Sequence, residues 1–307
     1  MGFFTDLFTN PSAWYHAHEL LLGQMGVNAL LAISIWVTLY AGQLTLANVG
    51  FMAIGGYTTV ILAIHAHTPL LVNALAGCAL AGLVALVIGL PVLRLRGLFL
   101  AIATIGFGEA LRFGVILNLG ITGKGQGLNN PAADPAAIWP VWASVAVLVY
   151  AGARVTRSRT GLAWASIRED ELAAASHAVG PTGYKLGAFV LGAVIAAWAG
   201  ALDSHTNFFI DPTEYAFNRA VFVLILAVVG GMATVWGPLV GAMLLTALPE
   251  IVRPAASQRD VLYGLLLILI VIFRPEGIVK RRRGRGGRGR PTGDAEVAAG
   301  HDVHDDA

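Results

Sequence analysis

Catalysis or metal binding needs clustered His, Cys, Asp, Glu or Ser side chains, and this sequence offers few. Cys78 is the sole cysteine, so it can form neither an internal disulfide nor a thiolate cluster. No H-E-x-x-H, paired-carboxylate or Ser-His-Asp arrangement appears, so nothing supports a catalytic centre. His65 and His67 are two residues apart, a spacing that suits a metal only on a strand, and they read as loop histidines. No G-x-x-x-x-G-K-[ST] phosphate loop is present, so the chain supplies no nucleotide chemistry of its own. The chain is therefore expected to be no enzyme and to hold no metal or cofactor. One pair remains: Glu109 and Arg112, three apart in an apolar stretch. On a helix they face each other and share the cost of their charges. A structural pair is the simpler reading, and a gate the alternative.

The elements that must position these residues follow from composition. Charged residues make up 12% of the chain against 56% apolar types, and mean hydropathy is +0.70. A soluble domain carries about 25% charge. Only Asp6 and Glu19 are charged before Arg94. A soluble globule, a disordered chain, a coiled coil and a disulfide scaffold are all excluded. The expected fold is all-α, a polytopic transmembrane helical bundle.

A spanning helix needs about 20 apolar residues. Stretches of that kind lie at 20–41, 45–64, 70–93, 97–117, 137–153, 185–203, 217–235 and 237–252, with a shorter one at 260–273, giving about nine spans. Cytoplasmic loops collect Lys and Arg. Arg94, Arg96, Arg154, Arg157, Arg159, Arg168 and the run Lys280–Arg283 all fall in alternate segments, which places 42–44, 94–96, 154–184 and the C-terminus inside. Segments 1–19, 118–136 and 204–216 then lie outside. The division is an extracytoplasmic N-terminus (1–19), a membrane domain (20–279) and a cytoplasmic tail (280–307). That tail is Gly/Arg-rich, then acidic, and reads as disordered. Its basic half suits anionic lipid head groups rather than nucleic acid. Apart from Glu109 and Arg112, no Asp, Glu or Lys is expected deep in a span. That scarcity argues against a proton relay or a sodium-coupled carrier, so energy must come from another chain.

Two further groups of residues stand out. The polar segment 154–184 has helical composition from about Leu162 to Ala178, stopped by Gly180 and Pro181. Trp164, Ile167, Glu171, Ala174 and Ala175 share a face that could receive another protein's backbone, with Arg168, Glu169 and Asp170 around its edge. A solvated loop helix is the bland alternative. Glycines are dense at Gly50, Gly55, Gly56, Gly106, Gly108, Gly230, Gly231, Gly237 and Gly241. Close helix packing accounts for much of this. The sharper reading makes 42–57 and 230–241 interrupted helices beside a solute path, with Gly42, Gln43, Thr45, Gly55, Gly56, Gly230 and Gly231 as its residues.

The pattern Gly161, Trp164, Ile167, Arg168, Glu169, Asp170, Glu171, Ala173 and Ala174, followed by Gly180, resembles the cytoplasmic signature of branched-chain amino-acid ABC permeases of the LivM type. Gly42–Leu46 with Gly50-Phe51 and Gly55-Gly56-Tyr57, the stretch 93–112, residues 228–250 and Phe273–Gly277 are similar to further lines of that family. The resemblance implies that 161–178 is the coupling helix docking on an ATP-binding subunit. It also implies assembly with a second, LivH-like permease, two cytoplasmic ATPases carrying ATP, and an extracytoplasmic solute-binding protein in a bacterial inner membrane. The expected function is import of branched-chain or related neutral amino acids, with Arg168, Glu169, Asp170 and Glu171 carrying coupling. Urea or short amides are the alternative cargo; a secondary carrier or channel, or an inert scaffold, are other classes. The sequence departs from the family pattern at Lys124, where a Gly is expected, at Ala220, where a Ser is expected, and at Ala197, where a Gly is expected. The first two positions are expected near the outer mouth.

Overall fold

The computed structural model describes residues 11–134, 138–177 and 179–251. The helices are α1 (Pro11–Tyr40), α2 (Asn48–Ala66), α3 (Leu70–Val92), α4 (Leu98–Ala110), α5 (Ile138–Val155), α6 (Arg159–Glu169), α7 (Glu171–Ser176), α8 (Pro181–Thr206), α9 (Phe217–Gly230) and α10 (Trp236–Ile251). A wider, π-type turn, Leu111–Ile116, carries α4 onward. Two short strands, β1 (Leu128–Asn129) and β2 (Phe209–Ile210), pair antiparallel. Six of these stretches are long and apolar enough to cross a membrane: His18–Tyr40, Asn48–Ala66, Leu70–Val92, Leu98–Ile116, Ile138–Val155 and Pro181–Thr206. They match the first six stretches expected from hydropathy. The protein is a polytopic helical bundle. The expected short span at 260–273 and the tail at 280–307 lie outside the described residues.

Helix α8 forms the middle of the bundle, with α1, α2 and α3 packed on it. Small residues make that arrangement possible. A Cβ on Gly55 would stand 2.0 Å from the Ala197 carbonyl oxygen, and one on Gly200 would stand 2.0 Å from that of Met52. Backbones of α2 and α8 therefore touch directly, the close approach that small residues permit between membrane helices. Ala197, the departure from the expected glycine, sits on this seam opposite Gly55. Phe51 and Phe189 close it edge-to-face, with ring centroids 5.6 Å apart.

The stretch 217–235, expected as one span, is not one. Only Phe217–Gly230 is helical, and 14 residues reach about 21 Å, short of a 30 Å core. The rest of the expected stretch is the turn 231–235, which Gly231 opens at φ +109°. The start of α9 is tied to the α4 stretch, because the Phe217 N–H donates to Glu109 Oε1 at 2.9 Å. Glu109 is the twelfth residue of the α4 stretch and lies about 10 Å from its Ile116 end. From there α9 runs to the turn 231–235, held where Trp36 Nε1 donates to the Met232 carbonyl at 3.1 Å. Helix α10 then returns along α9 and α1.

Segments expected on one side of the membrane do gather at one end. Gly42 abuts Arg168, Arg96 approaches Glu171, and Gln43 Nε2 donates to the Lys185 carbonyl. At the other end Leu128 pairs with Ile210, and Asn130 Nδ2 donates to the Ser204 carbonyl at 2.6 Å.

Candidate coupling site

The turn between α5 and α6 is built by Ser158 and Gly161. The Ser158 hydroxyl accepts from the Gly161 N–H at 3.3 Å, capping α6. A Cβ on Gly161 would lie 2.1 Å from the Val155 carbonyl oxygen, so the turn admits only glycine there. The single helix expected over Leu162–Ala178 is instead two. Asp170 adopts extended backbone (φ −154°, ψ 113°), and its carboxylate accepts from the Leu172 and Ala173 N–H groups at 2.8 and 3.1 Å. Aspartate competes well as an N-cap, and here that preference overrides the Ala-rich helical composition around it.

The faces of this pair of helices also differ from expectation. Trp164, Ile167 and Ala174 are 3–4% exposed and turn into the protein. Trp164 Nε1 donates to the Tyr184 carbonyl at 2.9 Å, tying α6 to the start of α8. Glu171 also faces inward, bonded to Lys185 Nζ at 2.7 Å and lying 3.8 Å from Arg96 Nε. The face proposed from the sequence as a receiving surface is thus the anchoring face. The outward side carries Leu162, Leu172 and Glu169, with the Glu169 side chain 78% exposed. Ala173, Ala175 and His177 are exposed as well, and an open hollow of about 640 Å³ lies among Leu162, Ser166, Glu169, Ala173 and His177. Gly180 precedes α8, which begins at Pro181.

Arg168 joins this element to the first connection of the chain. Its guanidinium lies 5.3 Å from the Tyr40 ring centre, in cation–π range. A Cβ on Gly42 would come within 3.0 Å of the Arg168 Cα, and Gly42 has φ +77°, which suits glycine. The irregular stretch 41–47 is largely buried, and most of its side-chain polar groups are bonded, with Gln43 Oε1 the exception. Gln43 Nε2 donates to the Lys185 carbonyl at 2.7 Å, the Thr45 hydroxyl to Asn48 Oδ1 at 3.3 Å, and the Leu46 N–H to the Thr104 hydroxyl at 3.0 Å. Gly42 and Gln43, read from sequence as path residues, thus share one junction with Arg168 and Glu171, whereas Thr45, the third, bonds to Thr38 and Asn48 within the bundle. A displacement of α6 would be felt directly at the α1–α2 connection.

The other sequence-predicted glycines lie elsewhere. Gly55 and Gly56 form the α2–α8 seam, with the Tyr215 hydroxyl lodged against Gly56. Gly230 and Gly237 meet across the α9–α10 turn, where a Cβ on either would fall within 2.0 Å of the other side's backbone. Gly231 takes φ +109° to end α9. Ala220 is buried beside Leu46, Gly50 and Glu109, within the bundle rather than at its outer mouth.

Sequence reasoning missed a buried polar cluster. Asp203 is 3% exposed and accepts from Asn207 Nδ2 at 3.0 Å and Gln24 Nε2 at 3.4 Å. Arg219 Nη2 donates to Asn28 Oδ1 at 3.0 Å, and Asn28 Nδ2 to the Thr246 hydroxyl at 3.0 Å. The chain from Arg219 to Thr246 bridges α9, α1 and α10. Asp203, three residues from the end of α8, is a buried carboxylate that the sequence reading did not anticipate, and the half-buried Arg219 stands beside it. Arg219 stands within the apolar run 217–235, and that was the available signal. Tyr215 beside them is buried, its hydroxyl against Gly56 and its ring 5.8 Å from that of Tyr57.

Comparison with known proteins agrees with this architecture. Residues 19–272 match the family described as "Branched-chain amino acid transport system / permease component". The chain is 31% identical over 305 residues to the high-affinity branched-chain amino acid transport system permease protein LivM of Salmonella typhimurium, covering 86% of this chain and 68% of that one. It is 29% identical over 297 residues to the LivM protein of Escherichia coli K12, with the same coverage. No solved structure matches.

Proposed function

Because the chain belongs to the branched-chain amino acid transport system permease family and is a multi-pass membrane protein, we propose that it is the LivM-type membrane subunit of an ATP-driven importer of branched-chain or related neutral amino acids. Its partners are a second, LivH-like permease, two ATP-binding subunits and an extracytoplasmic solute-binding protein that delivers the cargo. ATP is bound by those partners, and the chain holds no cofactor of its own. The end carrying α6 and α7 faces the cytoplasm, in keeping with Arg94, Arg96, Arg154, Arg157 and Arg159 gathered there.

The observation that carries coupling is the division of α6 and α7 into two faces. Trp164, Ile167 and Glu171 fasten the element to α8, while Leu162, Glu169 and Leu172 are exposed on the outside, Glu169 paired with Arg168 at 3.5 Å. An ATPase subunit gripping the outer face would move the inner one as a rigid body, and with it the 41–47 connection. The case against a secondary carrier rests on family membership, since Asp203 is buried and Arg219 half-buried beside it. The test uses the outer face alone. Glu169→Arg and Leu172→Asp should each abolish ATP-dependent leucine uptake while leaving the amount of folded protein in the membrane unchanged. Asp170→Ala is a poorer choice, because it also removes the cap of α7. Wild-type uptake in both outer-face variants would refute the assignment.

A further inference from the structure

Two helices of the bundle, α3 and α4, present an open side, and the two sides have different chemistry. Helix α3 exposes Leu71, Leu75, Leu83, Leu86, Val87 and Leu90, a surface that hydrocarbon solvates well. Helix α4 begins alike, with Leu98, Phe99 and Ile102 exposed. One turn further on, its character changes. Gly106, Gly108 and Gly114 have nothing within 4 Å of where a Cβ would stand. Gly106 and Gly114 leave helix backbone exposed, while Gly108 packs on Gly50, and Phe113 and Val115 stay exposed beside the glycines. Among them lies the Glu109–Arg112 pair, bonded at 2.8 Å, with side chains still 26% and 16% exposed. Beside the pair opens a hollow of about 530 Å³, walled by Ile105, Glu109, Arg112 and Phe113 on the α4 side and by Phe217 and Asn218 of α9.

An ion pair at membrane depth on an open surface is incompatible with lipid contact. Ionisable groups in the hydrocarbon region face the bundle interior or a water-filled cavity, and backbone exposed at a glycine gains nothing from acyl chains. Both oxygens of Glu109 are already engaged, one by Arg112 and the other by the Phe217 N–H. The carboxylate therefore fixes the first turn of α9 against α4 and holds the wall of the hollow in shape. A Leu-rich face on α3 and an α4 face interrupted by an ion pair and by exposed glycine backbone call for different neighbours. We propose that the α4–α9 hollow is one wall of the aqueous path for the solute, closed on its far side by the second membrane subunit, with the Glu109–Arg112 pair as its polar lining. This rests on the importer reading above, and assigns the path to this face rather than to the glycine seams of α2–α8 and α9–α10.

The test is thiol accessibility in the assembled importer in proteoliposomes, on a Cys78→Ala background that leaves the chain without cysteine. Ile105→Cys and Asn218→Cys report on the hollow, and Leu83→Cys and Leu86→Cys on the α3 face. The probe is a permanently charged, water-soluble methanethiosulfonate, applied without nucleotide and again in the ATP-trapped state. In at least one of those states both hollow cysteines should react about tenfold faster than the α3 cysteines, because a fixed charge is excluded from lipid. Their modification should also block leucine uptake. Reaction no faster than at Leu83→Cys in either state, with uptake intact before labelling, would overturn the assignment of this face. Fast reaction in an importer that moves no leucine would leave the face standing and overturn the cargo reading instead.

Discussion

Glycines of this protein come in two environments that the sequence writes identically. Along the α2–α8 and α9–α10 seams, Gly55, Gly200, Gly230, Gly237 and Gly241 are present because a neighbouring backbone occupies the space of a side chain, within 2.2 Å of an added Cβ. Along α4, Gly106, Gly108 and Gly114 have open space instead. The first set closes the bundle, while Gly106 and Gly114 of the second leave helix backbone exposed. Glycine density in a span is thus evidence of close approach only when a partner backbone is in place, and without one it marks a surface awaiting water or another chain.

The widest separation between the two sets should appear on enlarging the residue. Gly55→Leu drives a side chain into the Ala197 carbonyl, and neither backbone can move without displacing a long helix. Overpacking of this kind costs about 3 kcal/mol or more. Thermal unfolding in detergent should show a sharply lowered midpoint, or no folded material at all by size exclusion. A wild-type midpoint would mean that α2 and α8 are not in contact at Gly55.

Next in size is the carboxylate that fixes the open face. Glu109→Gln removes the partner of Arg112 and weakens the acceptor for the Phe217 N–H. Loss of a charge-assisted bond with its partner left in place costs about 1–3 kcal/mol. Glu109→Gln with Arg112→Gln should recover part of that stability, because the unpaired guanidinium is removed as well. A double variant no better than Glu109→Gln alone would show that the cap on α9, not the ion pair, is what matters. The same unfolding measurement decides between them.

How much of this was legible beforehand depends on whether a property is local. The first six spans are functions of chain composition, and hydropathy placed 70–93 against the observed Leu70–Val92 and 97–117 against Leu98–Ile116. The misjudged stretch, 217–235, is as apolar as the others. Its shortening comes from the turn at 231–235, where Gly231 takes φ +109° and Trp36, from α1, holds the Met232 carbonyl, a partner that no window over 217–235 contains. The break at Asp170 was available in principle, since an aspartate followed by free N–H groups is a strong cap. Ala-rich composition on both sides concealed it. Trp164 and Glu171 were correctly placed on one face, but a helix period cannot tell inward from outward; Lys185 and Tyr184, contributed by α8, decide that. Arg219 was in plain sight, whereas its partner Asn28, 191 residues away, was not.

A smaller effect, of opposite sign to Gly55→Leu, is expected where the space is open. Gly106→Ala adds a methyl group into free volume and removes a glycine from a helix interior, worth about 0.5–1 kcal/mol in favour of the variant. The chain without its partners should melt slightly higher. A loss of stability there would mean that α4 is packed at Gly106 after all, and would erase the contrast on which the open face depends.

The smallest effect concerns the reverse situation, a side chain where glycine is at ease. Lys124 has φ +53° and follows Gly123 at φ +73° in the turn before β1. A left-handed conformation costs an ordinary residue about 1–2 kcal/mol. Lys124→Gly removes that strain but adds conformational freedom to the unfolded chain, which offsets part of the gain. The net is about 0.5 kcal/mol of added stability. Gly123→Ala provides the contrast within the same turn, since its Cβ would fall 2.1 Å from the Gly127 carbonyl oxygen. It should lower the midpoint while Lys124→Gly raises it. If both substitutions lowered it, the Lys124 ammonium or its aliphatic stem would have to make a contact worth more than the backbone strain, and the turn would be held by its side chain rather than by its conformation.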